Sequence, residues 1–166
     1  DIASELRKAL ARLKVEAKSP GWPEARTAPR DPRDILSLSL TSGAVVDPEA
    51  VKLGEIEDTA FLSELANALD AAVISGLDIA RRIGWIGIGQ LWRLGELRRV
   101  YYVSTTDSAG ANRDPDQNNR GVAPSVKLLY EVVHRLSELD VPVAIGFVRR
   151  WSLRDTVVHL RLRAAM

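Results

Sequence analysis

VPVAIGFVRRWSLRDTVVHLRL, residues 141 to 162, is the stretch whose reading decides the fold. Its first eight residues form a continuous apolar run rich in valine, isoleucine and phenylalanine, the pattern of a strand buried on both faces. Trp151 to Arg154 then reads as a turn, and Thr156 to Leu162 as a last strand. In that strand Thr156, Val158, Leu160 and Leu162 share one side, while Val157, His159, Arg161 and Arg163 share the other. The pair is expected to be a hairpin with a basic outer face.

Upstream, residues 124 to 139 place Leu128, Leu129, Val132, Val133, Leu136 and Leu139 at helical spacing, with Pro124 near the start. Val100 to Thr105 reads as a strand, separated from that helix by a polar loop from Thr106 to Gly121. The C-terminal unit is therefore expected to be β-loop-α-β-β, with a helix crossover that favours parallel, right-handed pairing. Ile35 to Leu40 alternates apolar and polar residues as a further strand. Together these predict an α+β (or small α/β) domain over residues 35 to 166: a helix-backed sheet of about four strands, with one face buried.

Residues 56 to 83 give the strongest helical pattern, carried by Phe61, Leu65, Leu69, Val73, Leu77 and Ile83. Beside it runs a row of small residues, Ala68, Ala72, Gly76, Ala80 and Gly84, which lets another backbone approach closely. A shorter helix is expected over 48 to 54, opened by Asp47 and Pro48. After the long helix comes GWIGIG, residues 84 to 89. Gly84 suits a helix C-terminal cap, Gly87 and Gly89 a turn, and Gln90 to Arg98 a second short helix. A phosphate loop needs a preceding strand or a following Lys-Ser/Thr, and neither is present.

At the other end, Ile2, Leu6, Leu10, Leu13 and Ala17 fall on one stripe and predict an amphipathic arm helix within residues 1 to 18. Residues 19 to 34 concentrate proline (Pro20, Pro23, Pro29, Pro32) and read as an extended linker or strap, with Trp22 as a pin. The chain begins at Asp1, as expected of a fragment or a processed chain.

Composition narrows the function. The chain has 166 residues, is 46% hydrophobic and 27% charged, and carries a net charge of +1. So balanced a charge exerts no global pull on nucleic acid or anionic membranes. Cysteine is absent, which excludes disulfides, thiolate metal sites and a cysteine nucleophile. No apolar run reaches the ~20 residues of a membrane span, and a cytoplasmic location is expected.

Chemical signals are few. The loop over 104 to 121 holds Asp107, Asn112, Arg113, Asp116 and Arg120, where a strand would hand over to a helix N-terminus, a favoured ligand position. Asp114, Asp116 and Asn118 mimic the start of a calcium loop, but the sixth position is Asn119 and the twelfth Ser125, so no metal site is assigned. No G-x-S-x-G elbow is present, and two histidines alone make poor support for a metal or a triad. A basic hairpin face of Arg149, His159, Arg161 and Arg163, with Tyr102 beside it, would suit single-stranded nucleic acid.

The expected function is a non-catalytic interaction or assembly module with no cofactor, meeting another protein or a second copy of itself. Leu6, Leu10, Leu13, Trp22 and the small-residue row Ala68, Ala72, Gly76 and Ala80 are its expected contacts. The alternative is a nucleic-acid or nucleotide-binding domain that uses the hairpin face and the 104 to 121 loop.

Overall fold

The computed structural model describes residues 12–17, 36–41, 52–82, 97, 99–102 and 121–166. Two short strands, β1 (Arg12–Ala17) and β2 (Leu36–Thr41), pair antiparallel, with Val15 opposite Leu38. Most of the other described residues are helical. A 3-10 turn (Leu53–Glu55) leads into α1 (Thr59–Arg82), and three helices follow: α2 (Ala123–Leu139), α3 (Val141–Ser152) and α4 (Val157–Ala165).

The helix-backed sheet is therefore overturned. Among the described residues no strand enters the body from residue 52 onward, and both halves of the expected C-terminal hairpin are helices. The reasons are local and tertiary together. Asp140 caps α3, its carboxylate accepting from the Val143 backbone N–H at 3.2 Å. Pro142 lies in the first turn of α3, where its missing N–H removes no helical bond. Ala144, Phe147 and Trp151 then fall at i, i+3 and i+7 and are buried together. Valine and isoleucine lower helix propensity by only a few tenths of a kcal/mol each, whereas burying a large aromatic returns about 2–3 kcal/mol.

The next segment repeats the lesson. The Thr156 hydroxyl accepts from the His159 backbone N–H at 3.2 Å and so caps α4. A helix buries Val158, His159 and Leu162, and it turns Leu160, which a strand would place beside them, out to 53% exposure.

Two smaller expectations change as well. Residues 12 to 17 are strand and not the end of an arm helix. Val100, Tyr101 and Tyr102 are not strand, and Leu97 is not helical. The remainder of the arm, the strap with Trp22, GWIGIG, most of the 90–98 segment and residues 103–120 lie outside the described residues.

The core is built on α1 and α2. The two run antiparallel: Arg135, in the last turns of α2, donates from Nε to the Ile56 carbonyl, just before α1, at 3.1 Å. Leu62, Leu69 and Val73 of α1, and Leu129, Val132 and Leu136 of α2, are fully buried. Leu139, expected inward, is 37% exposed because α2 ends there. By length and composition α1 could also cross a membrane, a test that buried core helices pass too. Its apolar face is packed within the body.

Candidate functional site

One polar cluster lies inside this body, where three helices meet. Asp70 of α1 is 9% exposed, and its Oδ1 accepts from Trp151 Nε1 of α3 at 3.0 Å. His159 of α4 is 1% exposed and brings Nε2 to 3.7 Å from the same oxygen. That separation is an electrostatic contact, beyond hydrogen-bond reach, and Nε2 has no hydrogen-bond partner. The other ring nitrogen, Nδ1, meets the Thr156 hydroxyl at 2.6 Å.

Each side chain is placed by its helix. Asp70 sits on the buried side of α1, between Leu69 and Ala72. Trp151 ends the apolar row of α3, its ring 6.3 Å from that of Phe147. His159 occupies the first turn of α4, where its ring Nδ1 and its backbone N–H both meet the Thr156 hydroxyl. At the rim, Arg150 donates to Asn67 Oδ1 at 2.9 Å and lies 4.1 Å over the Phe147 ring.

Burial pushes the Asp70 carboxyl up. The facing side chains of His159 and Trp151, with the electrostatic influence of His159 and Arg150, outweigh that and hold it below the usual aspartate value. A carboxylate that accepts an indole N–H and faces an imidazole ties α3 and α4 to α1. It does not make a hydrolytic triad, because the hydroxyl nearest the ring caps a helix and the ring is sealed from solvent.

The expected site residues are dispersed. His159, placed on an outer face by the strand reading, is in the core. Arg161 is half-buried and donates to the Leu97 carbonyl. Arg149 and Arg163 are exposed, on two different helices. Tyr102 is half-buried, and its backbone N–H donates to Glu131 Oε1 at 2.8 Å. The helical backbone thus breaks up the basic hairpin face. Among the interface candidates, Ala68, Ala72, Gly76 and Ala80 are all buried, so this row is covered within the chain. Leu13 lies in β1. Leu6, Leu10, Trp22, Asp107, Asn112, Arg113, Asp116 and Arg120 lie outside the described residues. Among the described residues no group of three or more His, Asp or Glu side chains could hold a metal ion.

Reading the sequence missed Asp70, Trp151 and Thr156 as a set. Two signals were present. Asp70 is an acid on the apolar side of a long helix, and Thr156 stands three residues before His159 at a helix start. Neither signal names the partner across the fold. Comparison of the chain with protein-family models, characterised proteins and solved structures gives no match.

Proposed function

We propose that this chain is a non-catalytic assembly module whose helical body contacts another protein. The observation that carries the reading is the pair of aliphatic surfaces left outside the core. Val141 and Ile145 sit one turn apart on α3 at 53% and 43% exposure, and Leu153 and Leu160 flank the α3–α4 turn at 85% and 53%. Scattered single leucines need no explanation; we read these aliphatic pairs as the contact surfaces because they are the exposed apolar side chains grouped on α3, α4 and the turn between them. The small-residue row is spent on internal packing, so docking falls to these outer surfaces. The buried polar cluster serves the reading by holding α3 and α4 rigid, since a preorganised surface loses less entropy on binding.

The competing reading is nucleic-acid binding through the exposed arginines of α3 and α4. A labelled single-stranded oligonucleotide, titrated with the full chain between ~50 and ~200 mM salt, separates the two. Under the assembly reading its fluorescence anisotropy stays flat. Binding that weakens steeply with salt, and is lost in Arg149→Glu, sinks the assembly reading.

A further inference from the structure

The two exposed aliphatic surfaces differ in charge, and the difference is complementary. The first lies where α2 passes into α3. Arg135 bridges the Ile56 carbonyl and Glu138, at 3.1 and 2.7 Å, so the start of α1 and the end of α2 share this end of the body. Five acids lie within residues 52–58 and 134–142 (Glu55, Glu57, Asp58, Glu138, Asp140) against two bases, Lys52 and Arg135. Arg135, hydrogen-bonded to Glu138, holds that carboxyl below its ordinary value. Val141 and Ile145 stand on this end of the body.

The second surface surrounds the α3–α4 turn. Residues 149–163 hold five arginines (Arg149, Arg150, Arg154, Arg161, Arg163) against one acid, Asp155. Leu153 and Leu160 stand there. Among the described residues, the segments beside the two aliphatic pairs thus differ in sign, acidic next to Val141 and Ile145 and basic next to Leu153 and Leu160.

We propose that these surfaces dock on one another between copies, the Val141/Ile145 end of one chain meeting the Leu153/Leu160 corner of the next. The proposal rests on the assembly reading and names its partner as a second copy. The charge pattern selects this occupant: each surface repels its own kind and attracts the other, which disfavours a two-fold dimer of like faces and favours a head-to-tail contact. Such a contact leaves one surface of each kind unused at every stage. Growth therefore continues until a ring closes or a filament extends.

The test uses Ile145→Asp and Leu160→Asp, both at exposed positions, with thermal melts confirming that each variant folds. Light scattering on the wild-type chain over a hundredfold concentration range should give masses that climb past the dimer, and less so at high salt. Each variant alone should remain monomeric. An equimolar mixture of the two should stop at twice the monomer mass, because one intact surface of each kind remains. Arg154→Glu and Glu57→Arg should behave in the same way, monomeric apart and dimeric together. A wild-type chain that is monomeric throughout, or that stops at a dimer while mixed variants stay monomeric, overturns the proposal. If the monomeric chain also leaves the oligonucleotide unbound, self-docking fails while assembly with a different protein survives. If it binds the oligonucleotide, both readings fail.

Discussion

The α1–α2 pair and the place where α3 and α4 meet α1 are held together by different physics. The first is a dry contact between aliphatic and small side chains, with Leu62, Leu69, Val73, Leu129, Val132 and Leu136 all fully buried. Its strength is area removed from water and close packing, and it has no directional preference beyond shape. The second depends on directed groups. Trp151 must present its indole N–H to Asp70, and His159 must be turned by Thr156 to face the same carboxylate. Such a cluster contributes less net stability than apolar burial, but it admits fewer wrong arrangements, because a misplaced partner leaves a buried charge uncompensated.

The contrast can be broken from either side. The largest effect is expected in the dry contact: Leu129→Ala should lower unfolding free energy by about 3–4 kcal/mol in denaturant melts, through lost burial and the cavity left behind. Next comes Asp70→Ala, at about 3 kcal/mol, since it leaves Trp151 Nε1 without its acceptor and removes the carboxylate facing His159. Asp70→Asn sharpens the comparison further through pH. The folded Asp70 value lies below the unfolded one, so its contribution is present above about pH 4 and is lost as pH falls through the folded value. The wild-type chain should therefore lose stability on the acid side of pH 4 more steeply than Asp70→Asn, while Leu129→Ala keeps the wild-type slope. Equal acid slopes for wild type and Asp70→Asn would show that the carboxylate is not part of the clamp.

Smaller effects follow. Trp151→Phe retains most of the burial and removes one donor to a charged acceptor, so about 1–2 kcal/mol is expected. Asp140→Ala removes the α3 cap for about 1 kcal/mol. Loss of far-ultraviolet helical signal under mild heating, ahead of the main transition, would place that loss in α3. Asp78→Ala is the control. Its exposed ion pair with Arg81 should be worth under about 0.5 kcal/mol. A larger loss there would mean that surface charge contributes to this fold in a way the packing does not explain.

Helices α1 and α2 were legible in the sequence because their apolar residues repeat at 3.6-residue spacing over more than four turns, long enough to exclude a strand. Helices α3 and α4 were misread because they are short. Eight apolar residues from Val141 to Val148 satisfy a buried strand as well as a helix, and Val158, Leu160 and Leu162 satisfy strand alternation. The caps Asp140 and Thr156 were the deciding local signals, being side-chain acceptors placed immediately before each helix. Reading His159 on a strand made it a surface ligand. The 3.6-residue period of a helix puts it beside Val158 and Leu162 in the core.

By itself the sequence determined the two long helices and the faces they bury, because apolar periodicity acts locally. Only the tertiary structure decided that the last two segments are helices and that Asp70, Trp151 and His159 meet. Short segments have near-equal local preferences, and the balance is tipped by what each buries. A contact between residues 70 and 151 or 159 depends on how helices pack, which no local pattern encodes.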